Sequence, residues 1–295
     1  MIITPGDIST KQLHAYLLGS IGPRPICFAS TIDKEGNPNL SPFSFFNVFG
    51  SKPPICIFSP ARRVRNNTIK HTLENIQETG EVVINVVTYD MVQQVNVASC
   101  EYPKEVNEFA KSGFTPIAAN LVKPYRVKES PVNLECKVLQ VIETSQEGGA
   151  ANLVICEVLQ MHIDERILDA TQQIDPHKID LVARMGKDYY CRASGDAVFE
   201  VPKPNLELGI GMDQLPESIR NSEILSGNDL GMLANSSELP IVAALPQPDE
   251  RLNELLKTHS ENPQLREQHL HLYAKELLKQ HKIDQAWQVL LAATT

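Results

Sequence analysis

Hydrophobic and polar positions alternate along the first half of this chain as they do in strands, and towards its end the period lengthens to that of helices. Between Ile26 and Ile163 the apolar runs are short and β-branched. ICFASTI and LSPFSFF flank the turn DKEGN, whose Asp33, Gly36 and Asn37 suit a hairpin connection. PPICIFS follows, with prolines only where it begins and a missing donor is tolerated. EVVINVV is a further short strand, and VNLECKVLQVIE is expected to pair with ANLVICEVLQMHID across Gly148 and Gly149 as two long, barrel-like strands. In NLSPFSFFN, strict alternation puts Ser41, Phe43, Phe45 and Asn47 on one face and Pro42, Ser44 and Phe46 on the other. Pro42 predicts that the backbone leaves the ladder here.

Helical spacing separates these strands. From Thr68 to Thr79 the apolar residues Ile69, Leu73 and Ile76 share one face, and Gly80 marks the end. Shorter helices are expected at 89–99 and 106–111. From about 201 to 248 the composition turns to Pro, Gly, Asn and Ser, which reads as an irregular, loop-rich extension of the kind that serves as cover or linker. From 249 to 295 the pattern is that of two or three amphipathic helices. The expected organisation is a strand-rich domain over 1–200, the extension over 201–248 and a helical segment over 249–295, in the α+β class.

Composition narrows the chemistry. With 295 residues, 42% of them hydrophobic and 21% charged, the chain suits a globular protein with a sizeable core. A formal charge of -9 argues against nucleic acid as a partner. The start MIITPGDIST is not patterned as a secretory signal, and no apolar run approaches the length of a bilayer span, so a cytoplasmic protein without membrane contact is expected. The six cysteines form no CxxC pair, and Cys27, Cys56 and Cys156 sit in apolar runs, as buried free thiols do. There is no GxSxG, no HExxH and no histidine pair at ligand spacing; His162 reads as structural, and no metal site is expected. Chemistry would then come from a cofactor.

Two segments could hold one. Arg62, Arg63, Arg65, Asn66, Asn67, Thr68, Lys70 and Thr72 open a predicted helix in an otherwise acidic chain. Free N–H groups, the positive end of the helix dipole and Lys70 would favour an anion there. A capped helix behind a solvated basic loop would carry the same residues, and both readings stand at this point. In NLSPFSFFN, N–H groups freed beside small hydroxyls could reach a phosphate or ring carbonyls, although a plain amphipathic edge strand would look much the same.

The order of these motifs resembles the flavin reductase-like family with the FMN-binding split-barrel fold. The matching residues are Arg24, Pro25, Ile26, Ser30 and Thr31, then Gly36, Asn39, Pro42 and Ser44, then Pro53, Pro54 and Ser59, then Lys70, Thr72, Asn75, Ile76 and Asn85. Glu108, Phe109, Gly113, Thr115, Ser130, Pro131, Glu135, Cys136, Glu157, His162 and the run DLVARMGKDYY continue it over about two-thirds of the chain. The resemblance implies a split antiparallel β-barrel with peripheral helices and, here, a C-terminal helical extension. It implies a homodimer with one flavin per subunit near the interface. Ser30 and Thr31 would line the ribityl side. Pro42, Phe43, Ser44, Phe45, Phe46 and Asn47 would hold ring and phosphate, with Ser59 in the same motif set, and Asn67, Lys70 and Thr72 would grip the phosphate.

The implied activity is that of an NAD(P)H:flavin oxidoreductase, with FMN as cofactor, FAD left open, and NADH or NADPH as reductant. No side chain need act as acid or base, so no catalytic residue is named. The alternative is an FMN-carrying electron-transfer flavoprotein that serves a redox partner protein and has no reductase turnover of its own; a non-enzymatic flavin-binding module is a third class. Two departures bear on this. Lys70-His71-Thr72 stands where the family commonly has Lys-Asp-Thr. GGAANLVICEV, with Asn152, stands where some members carry a Gly-Asp-His associated with nicotinamide handling, which weighs on the reductant more than on the flavin.

Overall fold

Every residue of Cys27–Ile32 is buried, because the two faces of this strand feed two different cores. Cys27 and Ala29 join Phe43, Phe58, Val82 and Ile84 in one cluster, while Phe28 and the adjacent Ile26 join Leu40, Val87, Val95 and Phe109 in another. Cover on both faces is why the segment reads as a nearly continuous apolar run. The computed structural model describes residues 1–202, 208–241 and 250–292, and the chain divides into two compact units, Met1–Phe199 and Glu200–Thr295.

The strands of the first unit are β1 (Cys27–Ile32), β2 (Pro38–Phe43), β3 (Phe46–Ser51), β4 (Pro54–Phe58), β5 (Glu81–Val86), the short β6 (Pro116–Ile117) and β7 (Arg126–Val127), β8 (Val132–Glu143), β9 (Asn152–Ile163), β10 (Val182–Arg184) and β11 (Tyr190–Arg192). Its helices are α1 (Thr10–Ser20), α2 (His71–Thr79), α3 (Val92–Ala98) and α4 (Glu108–Ser112). Seven strands form one antiparallel sheet in the order β2-β1-β5-β8-β9-β4-β3. The long β8–β9 pair carries register shifts at Glu135/Cys136 and Val138/Gln140, the irregularities that bend a sheet towards closure.

One expectation is corrected here. LSPFSFFN is not a single strand: β2 ends at Phe43 and β3 begins at Phe46, so the alternation proposed across Ser41, Phe43, Phe45 and Asn47 does not run through one ladder. These two strands are the opposite edges of the sheet. Crossing at Ser44–Phe45 brings the edges round to face each other, and the Phe43 and Phe58 rings meet inside at 5.6 Å. Pro42 pairs with Phe28 on edge strand β2, where the lost donor faces no partner strand.

Helix α2 starts at His71, three residues later than its periodicity predicts. Lys70 is extended, Asn67 has a φ of 54°, and hydrogen bonds from Asn67 N to Arg63 O and from Arg63 N to Thr68 O (both 2.9 Å) turn residues 63–68 into a closed loop. The α1 helix has no counterpart among the expected elements. Cys27, Cys56, Cys136 and Cys156 are free thiols inside the barrel core; Cys100 is exposed. Burial pushes the four core thiols up, Cys156 to about 12.

The second unit contains α5 (Glu217–Arg220), α6 (Gly227–Ala234), α7 (Glu250–Thr258), α8 (Pro263–Lys279) and α9 (Ile283–Ala292). A single core joins Leu215, Ile219, Leu230 and Leu233 to Leu252, Leu270, Leu277 and Trp287. The loop-rich reading of 201–248 therefore missed α5 and α6; a Ser226–Asp229 capping box starts α6 despite the glycines around it. Residues 203–207 and 242–248 of that segment, and residue 249 of the next, lie outside the described residues.

Candidate functional site

The loop from Pro60 to Lys70 is held from below by the β8–β9 turn. Arg62 N donates to Ala150 O (2.9 Å) and Gly149 N to Arg62 O (3.0 Å). A Cβ on Gly148 would lie 3.1 Å from the carbonyl oxygens of Arg63 and Val64, so any side chain there would push the turn and the loop apart by a few tenths of an ångström. Asn67 completes the fastening. Its Oδ1 accepts from Arg62 Nε (2.8 Å), and its Nδ2 donates to Gln146 O (2.8 Å).

Three cations of this loop converge on one carboxylate. Glu101 Oε1 lies 2.9 Å from Arg63 Nε and 3.4 Å from Lys70 Nζ, and its Oε2 lies 2.7 Å from Arg65 Nη2. The hydrogen bond from Arg63 holds the Glu101 carboxyl below the usual carboxylate range, outweighing the opposing effect of partial burial. Arg63 is itself braced by Thr68 Oγ1 (2.8 Å) and by the carbonyl of Ile69.

These residues edge a cleft of about 850 Å³. Thr10, His14 and Leu17 of α1 form one wall, Phe45 and Ser59 another, and Val64, Ala151 and Leu153 add apolar surface. His14 meets Phe45 edge to face at 6.2 Å. The cleft thus pairs a cationic rim with mostly apolar walls, in the volume range of small-molecule and cofactor sites.

Beneath the rim lies a buried polar network. Thr72 Oγ1 donates to Asn39 Oδ1 (2.7 Å), Thr31 Oγ1 contacts the same oxygen at 3.5 Å, and Asn75 Nδ2 donates to Thr31 Oγ1 (3.1 Å). Asn39 Nδ2 and the Leu40 N–H in turn donate to Glu108, at 3.1 and 3.2 Å. The network ties α2, β1, β2 and α4 together under Lys70.

The sequence-derived candidates therefore do not share one place. Phe45, Ser59 and Lys70 line the large cleft. Pro42, Phe43 and Ser44 line a separate cleft of about 260 Å³, together with Arg184, Asp188 and Tyr190. Ser30, Thr31 and Thr72 are buried, Thr31 and Thr72 within the network and Ser30 with an Oγ that has no hydrogen-bond partner among the described residues. Asn67 fastens the loop, Phe46 packs against the barrel core, and Asn47 is exposed, its Oδ1 accepting from Val48 N at 2.8 Å. Ser59 also accepts from Asn152 N (3.2 Å), and Asn152 Nδ2 donates to Pro60 O (2.9 Å), so Asn152 is fully buried as a brace for the loop.

Glu101 and the α1 wall were not read from the sequence. Glu101 has no local signature, since its partners lie 31 to 38 residues away. For α1 a signal exists: Ser9 and Gln12 form a capping box at its start.

The flavin reductase like domain model matches residues 19–177. This chain belongs to that family. The flavin reductase-like protein is 35% identical over 198 residues to an uncharacterized protein of Aquifex aeolicus, covering 67% of this chain and 96% of that one. Among solved structures it resembles nitrilotriacetate monooxygenase component B from Bacillus cereus, with a TM-score of 0.63 and 27% identity over 68% of this chain and 98% of the other. It also resembles a protein with a split barrel domain from Shewanella frigidimarina, with a TM-score of 0.58 and 27% identity over 69% and 99%. Flavoredoxin of Desulfovibrio vulgaris shares the fold at 24% identity, with a TM-score of 0.53 over 69% and 96%. The first unit is a split antiparallel barrel of the flavin reductase-like kind, and its broad role is that of a flavin-related oxidoreductase. Among the described residues, no helix is long and apolar enough to cross a membrane.

Proposed function

We propose that this protein is an FMN-dependent oxidoreductase in which a nicotinamide nucleotide serves as reductant. The observation that carries the reading is the convergence of Arg63, Arg65 and Lys70 at the rim of the apolar-walled cleft. The donor set fits the cofactor: guanidinium and ammonium groups suit a phosphomonoester, and a wall containing Phe45, Leu17 and Leu153 suits a flat ring. Flavin, when bound, supplies the redox chemistry by taking up a hydride equivalent and passing the electrons on.

The chain's own residues bind and orient. Lys70 and Arg63 would hold the phosphate, with Thr72 acting through Asn39 to fix the start of α2 and Asn67 keeping the loop shut. Phe45, Val64 and Leu153 would exclude water from the ring. Positive charge at the rim would also favour an anionic form of the ligand. A second copy of the chain fits the exposed apolar residues of the sheet: Val48 and Phe49 on edge strand β3 are 65% and 64% exposed, and Met161 on β9 is 52% exposed.

Titration of the purified protein with FMN, followed by flavin fluorescence, tests the site. Replacing Arg63 and Lys70 together by Ala should weaken FMN binding by at least about tenfold, the scale of two partly buried charge contacts. Unchanged affinity would sink the assignment.

The alternative, a flavoprotein that serves a protein partner without reductase turnover, draws on Asn152. That residue stands where some members place a histidine and is enclosed beneath Pro60, so it offers no group to a second ligand. Bleaching of the flavin absorbance on adding NADH or NADPH favours the reductase; slow or absent bleaching favours the alternative.

A further inference from the structure

Glu101 makes an unusual set of contacts for a half-exposed carboxylate. Both of its oxygens are engaged, by donors on three different side chains, and all three donors come from the loop assigned above to the phosphate. Glu101 itself lies elsewhere in the chain, on the segment between α3 and α4. Its two oxygens take the donors much as two oxygens of a phosphoryl group would. We propose that Glu101 is an internal counter-anion that stands in the phosphate subsite whenever the ligand leaves, so that the protein exchanges its flavin instead of retaining it. This rests on the flavin-site reading above.

The burial of the partners shows why such a group matters. The Arg63 side chain is only 15% exposed and that of Lys70 28%. Cations this poorly hydrated are costly without an anion beside them. An empty site lacking Glu101 would carry that cost, and phosphate binding would relieve all of it. With Glu101 present the cost is already relieved, and an incoming phosphate gains only the difference between itself and the carboxylate. Glu101, at 41% exposed, can turn out to water as the phosphate takes over its cations. The cluster of three cations and one carboxylate retains an excess of two positive charges. It therefore still attracts a phosphomonoester dianion while opposing its full engagement.

The effect should depend on the phosphate and not on the ring. FMN and riboflavin share the ring system, and only FMN carries the charge with which Glu101 competes. The structural alternative, in which Glu101 merely ties two loops together, predicts the opposite sign: its loss would loosen the site and weaken both ligands.

The experiment compares equilibrium binding and stopped-flow release of FMN and of riboflavin in the full-length wild type and in Glu101→Gln, which keeps an acceptor oxygen and removes the charge. FMN should bind roughly fivefold tighter to the variant and leave correspondingly more slowly, the scale of one partly exposed charge pair, while riboflavin changes by less than about twofold. Riboflavin binding also reports that the variant is folded. Arg65→Gln, at a side chain 77% exposed, should move FMN release the other way. Unchanged or weaker FMN binding in Glu101→Gln, or equal tightening of both flavins, overturns the counter-anion. Failure of wild type and variants alike to bind any flavin overturns instead the site reading on which it stands.

Discussion

Two buried carboxylates in this barrel are held in opposite ways, and their pH signatures oppose each other. Burial pushes Glu135 up, but N–H donors from Asn120 (2.8 Å) and Leu121 (2.6 Å), with His162 Nε2 at 2.6 Å, outweigh it and leave the carboxyl below its usual range. A depressed folded-state pKa stabilises the protein above the unfolded value, about 4.3, and that stability disappears as the pH falls through the folded value. At Glu108 burial dominates, outweighing the hydrogen bonds from its own N–H, Leu40 N–H and Asn39, and the pKa is raised; its contribution is present at low pH and is lost as the pH rises through the raised value. Glu135→Gln should lower stability near neutral pH by about 1–3 kcal/mol, because charge-assisted bonds become neutral ones and one oxygen becomes a mismatched donor. Thermal melts from pH 7 down to 3 should show the gap to wild type closing below about pH 4. A gap independent of pH would show that Glu135 acts through shape alone.

At the scale of elements, α1 is the informative case. None of its residues is buried within the described chain, yet Thr10, His14 and Leu17 wall the cleft. Its C-terminal end is secured by Arg24, whose guanidinium donates to Leu18 O (2.7 Å), Ile21 O (2.6 Å) and Met185 O (3.0 Å). Burial, reinforced by neighbouring Arg184, lowers the Arg24 pKa. Arg24→Met leaves those carbonyls without their donor and should cost about 1–3 kcal/mol. Proteolysis should then release the first twenty or so residues faster, and FMN affinity should fall as one wall of the cleft loosens. Intact resistance to protease would show that α1 is held by something else. The runs that became β1, β4, β5, β8 and β9, and the pairing of β8 with β9, were legible because each run carries its own periodicity and turn residues. The position of the break between β2 and β3 was not: Pro42 predicts a departure from the ladder but stays in it opposite Phe28, and the chain leaves at Ser44, because closure of the barrel is a long-range event that local alternation does not report. In the site, Arg63 and Lys70 were legible as a basic helix start. The burial of Thr31 and Thr72 was not, because hydroxyls suit a ligand and an internal network equally well.

For the molecule as a whole, the split barrel leaves apolar surface that a single copy does not cover. In the proposed dimer, Phe49→Glu on edge strand β3 should shift the protein to monomers, because an unpaired charge buried in an apolar contact is strongly disfavoured. Sedimentation velocity checks this; an unchanged dimer would move the interface away from β3. The second unit carries its own hydrophobic core around Trp287, whose Nε1 donates to Ser236 Oγ (3.1 Å). The cysteines of the first unit carry a different consequence. Cys27, Cys56, Cys136 and Cys156 lie sealed in one core as protonated thiols, and an alkylating reagent reacts only with an accessible thiolate. The barrel therefore carries its own clock: the rate at which these four sulfurs are modified is set by how often the closed sheet opens to water.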